Sequence, residues 1–330
     1  MIESSTYLRA LSDKAIAAAR HRQEMLNDVR ESLSRTPREL SPKYFYDARG
    51  SRLFEEITRL QEYYLTRAER EILVAHAADI AAATHARSLI ELGAGSAAKT
   101  RLLLDALHAR RRAMTYVPVD VSSDFLETTA SGLRAEYRSL RVEPVIADMN
   151  AMFRLPARLA EPVLVALLGS TIGNFDTHEA IALLTRVRAV MHEEDRFLLG
   201  ADLRKDVGVL ERAYNDSRGV TAAFNRNILH VLNAELGSDF VPACFAHRAF
   251  YDASRHRIEM HLVSRRQQAV HVPDLPPFTL EAGEGIRTEI SCKYDRESID
   301  AMCDASGFRV DRWLTDAENR FALALLEPIP

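Results

Sequence analysis

"SLIELGAGSAAKT", residues 88–100, decides what kind of sheet this chain builds. An apolar strand, Ser88-Leu89-Ile90, runs into Glu91, then into Gly93-Ala94-Gly95. A helix follows from near Ser96 and carries Lys99 and Thr100. A strand, a glycine turn and a helix in that order aim backbone N–H groups and a helix N-terminus at whatever binds beyond the strand. The stretch is a cofactor loop, and the flanking sequence has to say for which cofactor.

Outward from this loop the same rhythm repeats. Apolar runs predict strands at 88–92, 115–121, 142–148, 163–169 and 195–202, with helices at about 97–110, 123–138 and 177–191. Strands with two apolar faces alternating with helices imply a doubly wound, largely parallel α/β sheet. On the N-terminal side, Leu8, Leu11, Ile16, Met25, Leu26, Val29 and Leu33 recur at helical spacing over 8–33, before Thr36-Pro37 and Ser41-Pro42 break the chain. After Asp202 the rhythm changes. Residues 206–236 read as mostly helical, and 245–252 and 256–264 as paired strands. A helix at about 295–306 and strands at 308–315 and 321–327 restore the α/β style. The expected layout is a core at 68–204 and 293–330, with a second, α+β domain made from 1–67 and the insertion 205–292. A ligand belongs in a cleft of such an arrangement.

Bulk properties exclude several classes. With 330 residues, 47% hydrophobic and 27% charged, the composition is that of a globular protein with a sizeable core. A net charge of −4 offers no basic field for nucleic acid or a membrane surface. The basic run His108-Ala109-Arg110-Arg111-Arg112 falls at a helix end, where cations suit the dipole. Cys244, Cys292 and Cys303 are odd in number and lack CxxC spacing, as expected in a reducing cytoplasm. No apolar run is long enough to span a bilayer, and no coiled-coil seam is visible. The expectation is a cytoplasmic monomer.

Three readings of the loop compete. It matches a worn phosphate loop, GxxxxxKT with Ala98 at the second glycine, and also the dinucleotide fingerprint GxGxxA. It equally fits the first loop of an S-adenosylmethionine (SAM) enzyme. An acid at Glu91 would repel a cradled phosphate, whereas SAM carries an ammonium and a sulfonium. Asp120, ending "TYVPVD", can accept from both ribose hydroxyls, which suits NAD and SAM alike. Asp148, ending the third strand in "IADM", can accept from an adenine amino group while Met149 packs on the ring. Together these residues favour SAM, with NAD second and a phosphate loop third.

Longer segments then become recognisable: "KYFYDARGSRLFEEITRLQEYYLTRAEREIL", "ELGAGSAAKTRLLLDAL", "LLGSTIGNF", "GVTAAFNRNIL", "RIEMHL" and "TEISCKY". In these, from about residue 40 onward, the chain resembles the histidine-specific SAM-dependent methyltransferases. The resemblance implies a Rossmann-like class I methyltransferase core with an inserted α+β substrate-binding domain. It implies trimethylation of the α-amine of L-histidine to histidine betaine (hercynine), as in the first step of ergothioneine biosynthesis, with no metal. It further implies that Gly93, Lys99, Asp120, Asp148, Met149 and Gly169 hold SAM. Lys99 would face the SAM carboxylate, Asp120 the ribose and Asp148 the adenine. Tyr63, Asn174, Tyr214, Met260, Glu289 and Ser291 would hold histidine, and Tyr46 and Phe54 would line the pocket of the reacting amine.

The residue types suit that chemistry. Asn174 and Tyr214 can donate to a carboxylate without adding charge. In "TEIS", Glu289 and Ser291 stand two apart, so a strand points both to one side. An acid with a hydroxyl suits an imidazole and poorly serves an indole or a phenol. Aromatic faces at Tyr46 and Phe54 would stabilise a methylated ammonium by roughly 0.5–2 kcal/mol. A phenol of ordinary pKa, about 10, is a poor general base, so the amine proton is expected to leave to water or through a tyrosine relay. Without the resemblance, Tyr63 and Tyr64 read as core aromatics before a helix, Tyr214 as an amphipathic-helix residue and Met260 as packing. The His256, Glu259 and His261 spacing matches no zinc helix, and Ser170 in "GSTIGN" lacks the GxSxG elbow of a hydrolase. A relative acting on another amino acid or small amine, and a non-catalytic SAM-binding module, are the rival readings.

Overall fold

The computed structural model of the chain describes residues 19–329, apart from 21, 112, 150–155, 157 and 158. It forms two compact units. One comprises Met1–Phe54, Ser217–Ala249 and Glu259–Glu289, the other Glu55–Asp216, Phe250–Ile258 and Ile290–Pro330.

The larger unit holds an eight-stranded sheet. From one edge its strands run Phe308–Thr315, Phe321–Pro328, Arg196–Asp202, Val163–Leu167, Ser88–Leu92, Met114–Asp120 and Leu140–Val142, with Val145–Ile146 also paired to Met114–Asp120. The pairs from Arg196–Asp202 through Leu140–Val142 are parallel, and Phe321–Pro328 is antiparallel to both of its neighbours. Every residue of Ser88–Leu92 and Val163–Leu167 is buried, as two-sided cover by helices demands. Ile90, Val117, Val165, Phe197 and Leu199 of the sheet share one core with Leu183 and Leu184 of helix Thr177–Arg188 and Ile299 of helix Arg296–Ala305. Both of those helices start in capping boxes, Asp176 with Glu179 and Asp295 with Ser298.

Strand order reverses between Ser88–Leu92 and Val163–Leu167, both flanked by later-numbered neighbours on opposite sides. In an open α/β sheet, ligands bind beyond the carboxyl ends of strands at such a switch point. The glycine loop at 93–95 and the Gly169 turn follow these two strands.

The doubly wound expectation holds, with local differences. The expected strand at 142–148 is split into Leu140–Val142 and Val145–Ile146, with Pro144, which has no N–H to donate, between them. The helix after the glycine loop begins at Thr100, because Ala97 takes a left-handed conformation, φ 50°. The helical region at 206–236 is two helices, Val207–Tyr214 and Val220–Leu236.

The smaller unit is built on helix Val220–Leu236, which buries Phe224, Ile228, Leu229 and Leu232. Its residues include most of a four-stranded sheet ordered Arg38–Glu39, Gly285–Cys292, Arg257–Ser264, Phe245–Asp252. A short antiparallel pair, Gln268–Val270 with Phe278–Leu280, completes it. Of the helix expected over 8–33, residues 8–18 lie outside the described residues. The chain is helical over 22–34, with Met25, Leu26, Val29 and Leu33 buried.

Candidate active site

At the carboxyl end of Ser88–Leu92, Gly93 has φ +71°, and a Cβ there would lie 3.3 Å from Met149 Cε. Gly169, after Val163–Leu167, has φ +75°, and its Cβ would lie 3.4 Å from Lys99 Nζ. Both turns require a conformation that side chains rarely take, and both bring backbone close to a residue expected in the cofactor site. Asp120, the last residue of its strand, accepts from the Gly95 N–H at 3.0 Å through Oδ2 and from the Ser122 N–H at 3.1 Å through Oδ1. A carboxylate has about four acceptor positions, so Asp120 is oriented by the loop and keeps capacity for a diol. Asp148 and Met149 are half-buried just past Val145–Ile146, and Met149 packs against the sheet core. The larger unit thus brings Gly93, Met149, Lys99 and Gly169 together, with Asp120 at the neighbouring strand tip.

Glu91 does something other than the sequence suggested. Its side chain is buried and accepts from Thr100 Oγ1 at 2.6 and 2.7 Å and from the Tyr116 hydroxyl at 2.5 Å. Burial pushes its pKa up to about 7, against those hydrogen bonds and the charge of Lys99, which pull it down. Glu91 therefore ties the loop's strand to the following helix and the next strand, and it offers a ligand no full carboxylate charge. Buried, partly protonated and already bonded to two hydroxyls, Glu91 does not distinguish a phosphate from SAM.

An acid that the sequence reading passed over stands beside Gly169 and Lys99 instead. Glu69, buried in helix Leu65–Thr84, accepts from the Gly169 N–H at 2.7 Å and pairs with Lys99. It shares a helix face with the buried Leu65, Ala68, Ile72 and Leu73. An acid on an apolar stripe is the signal that would have found it. Lys99 stands just before helix Thr100–Arg110, and its ammonium carries three donors, so pairing with Glu69 leaves it donors for a second carboxylate.

Also in the larger unit, the Tyr63 and Tyr214 rings meet edge to face at 6.4 Å. The Tyr214 hydroxyl donates to Ser291 Oγ at 2.8 Å. Asn174 ends the short turn Thr171–Asn174 and is half-buried. Sequence reasoning missed what lies behind Ser291. Lys293 is fully buried and donates to Ser291 Oγ at 2.7 Å and to the Tyr214 hydroxyl at 3.1 Å. It also pairs with Asp202 at 2.8 Å, and Asp202 accepts in addition from the Tyr64 hydroxyl and from Lys205. Burial draws Lys205 down to about 8, opposed by Asp202, and raises Tyr64 far above the usual phenol range.

In the smaller unit Tyr46 and Phe54 meet at 5.7 Å, and both contact Phe224, at 5.6 and 5.9 Å. Phe224, which also packs on Phe45 at 4.6 Å, adds a third ring to the expected pair. Phe224 sits in the quoted "GVTAAFNRNIL", but an aromatic on a buried helix face carries no signal of its own. Met260 is buried on strand Arg257–Ser264, and its carbonyl accepts from Thr288. Side chains alternate along strand Gly285–Cys292, which puts Glu289 and Ser291 on one face, Glu289 half-buried and Ser291 buried. Among the described residues, no group of three or more His, Cys, Asp or Glu side chains is placed to hold a metal ion. No described helix is long and apolar enough to cross a membrane.

A glycine loop at the switch point, an acid closing the next strand and a final antiparallel strand fit a SAM-dependent methyltransferase core. The histidine-specific SAM-dependent methyltransferase family model matches residues 25–328, and the chain belongs to that family. The histidine N-alpha-methyltransferase of Mycobacterium tuberculosis (strain CDC 1551 / Oshkosh) is 44% identical over 299 residues, 90% of this chain and 93% of that protein. Its namesake from Mycolicibacterium smegmatis is 41% identical, over 94% of this chain and 97% of that protein. Ergothioneine biosynthesis protein 1 of Neurospora crassa is 31% identical over 88% of this chain and 33% of its own length.

Proposed function

We propose that this enzyme methylates the α-amine of free L-histidine three times, using SAM, and so makes hercynine, the first intermediate on the way to ergothioneine. The observation that carries the reading is the near end-to-end match to two histidine N-alpha-methyltransferases. The described geometry suits it. Gly93 and Gly169 leave room beside Met149 and Lys99, and Asp120 keeps acceptor capacity for a ribose. These residues, with Asp148, would hold SAM, whose sulfonium supplies an electrophilic methyl group.

For the amino acid, Asn174 and Tyr214 would donate to the carboxylate, with Tyr63 packed on Tyr214. Glu289 would accept from a ring N–H and Ser291 would donate to the other ring nitrogen, with Met260 packed beside the imidazole. Tyr46, Phe54 and Phe224 would receive the amine, the hydroxyl oxygen of Tyr46 accepting from an amine N–H so that the lone pair is left facing the methyl group. In each transfer a nitrogen–carbon bond forms as the carbon–sulfur bond breaks. Starting from the ammonium form, one proton leaves the amine before each transfer. The chain's own task is orientation and exclusion of water; an aligned pair of reactants gains most of its rate from position. As methyl groups accumulate, the three rings favour the growing cationic head, by roughly 0.5–2 kcal/mol.

Incubation with SAM and a panel of free amino acids and small amines, read by mass, tests the reading. Three methyl additions to histidine, with the other substrates unchanged, are expected. Methylation of a different amine in place of histidine would transfer the site to the rival substrate, and no methylation at all would make it a binding module.

A further inference from the structure

We infer that the buried ammonium of Lys293 is a positioning residue for histidine recognition: it lets Ser291 and Tyr214 turn their hydroxyl hydrogens to the substrate at the same time. The inference rests on the proposed function and deepens it.

Lys293 has three N–H donors and three acceptors: Asp202 at 2.8 Å, Ser291 Oγ at 2.7 Å and the Tyr214 hydroxyl at 3.1 Å. It has no acceptor capacity, so the direction of all three bonds is fixed. The two hydroxyl oxygens lie 2.8 Å apart. With no substrate, one hydroxyl hydrogen bridges them. A histidine that accepts from both, through its carboxylate at Tyr214 and a ring nitrogen at Ser291, removes that hydrogen. Two sets of oxygen lone pairs would then face one another at hydrogen-bond distance inside the protein. Such a contact is costly unless a donor occupies it. Lys293 is that donor, because it already reaches both oxygens. Asp202 compensates the ammonium, and Tyr64 and Lys205 in turn satisfy Asp202. The ion pair therefore stays fixed while the hydroxyls change partners. Lys293 also fills an acceptor site on Ser291, which biases that residue toward donating. A ring offering a bare acceptor nitrogen is then preferred over one that offers only carbon or N–H.

The test is a double-mutant cycle on histidine kinetics, with SAM affinity by calorimetry as the control for an intact core. Lys293→Met should raise KM for histidine about tenfold or more, the worth of a charge-assisted hydrogen bond, with kcat less affected and SAM affinity unchanged. Ser291→Ala should do likewise, and the combined loss should fall well short of the product of the two, because Lys293 acts through Ser291. Where Lys293→Met does not fold, Lys293→Met with Asp202→Asn removes the ammonium without stranding a buried carboxylate, and the same expectations apply. Losses that simply multiply, or an unchanged KM in the folded variant, would overturn the inference while leaving the proposed function intact. Failure of the unaltered protein to methylate histidine would overturn the proposed function, and this inference with it.

Discussion

The carboxylate of Glu69 accepts the Gly169 N–H at 2.7 Å and also pairs with Lys99, so one buried acid joins a helix, a strand-end turn and the cofactor-loop lysine. Removing it as Glu69→Ala strands a backbone donor and a partly buried cation. A stability loss of about 2–3 kcal/mol is expected in urea denaturation, since Lys99 keeps some access to water. Glu69→Gln can still accept from Gly169 and should lose less.

The Gly93 turn offers a test on the cofactor side. Gly93→Ala combines a left-handed backbone with a Cβ 3.3 Å from Met149 Cε. The strain costs about 1–2 kcal/mol, and any relief displaces loop or methionine. SAM affinity measured by calorimetry should fall about tenfold with the fold retained.

What the sequence could and could not reveal follows from the range of each interaction. The parallel sheet is legible because apolar runs and glycine turns are local, whereas the order of its strands is set by long-range pairing and emerges only in the structure. SAM is legible in the quoted segments, with Asp120 and Asp148 in support, but the part played by Glu91 is not. Strand position alone does not say whether an acid faces solvent or the Thr100 and Tyr116 hydroxyls. Glu69 shows in the sequence only as an acid on an apolar helix stripe, and nothing local singles out Phe224 or Lys293. Each owes its role to partners far along the chain, such as Gly169 for Glu69 and Asp202 for Lys293.

Glu91 gives the protein a pH signature. Its pKa is about 7 in the folded protein against an ordinary 4.5. Between those values the unfolded chain has released the proton and the folded protein keeps it. Folding then takes up a proton, so the contribution of Glu91 to stability declines as pH rises across that window and levels off above about 7. Glu91→Gln removes the effect. Its stability relative to the unaltered protein should be greater at pH 8 than at pH 5 by about 2–3 kcal/mol in denaturation curves. His230 and His261, whose pKa values burial lowers, run the other way but are common to both proteins and cancel in the comparison.

Glu289→Ala should raise KM for histidine about tenfold to a hundredfold, because a charge-assisted hydrogen bond to the ring is lost. SAM affinity should be unchanged. Steady-state kinetics with calorimetry separates the two, and unchanged histidine kinetics would remove Glu289 from the specificity argument.

The aromatic trio predicts a change in product rather than in binding alone. Phe224→Leu keeps an apolar side chain but withdraws one ring face from the cationic head. Mass analysis at partial conversion should show more mono- and dimethylhistidine than the unaltered enzyme releases.

A crystal structure with S-adenosylhomocysteine and histidine bound together tests the central claim most directly. The ribose should lie on Asp120, and the imidazole should lie between the Glu289 carboxylate and the Ser291 hydroxyl, with Lys293 still on Ser291. An imidazole bound away from Glu289 and Ser291, or a nucleoside away from the strand ends at Gly93 and Asp120, would contradict it.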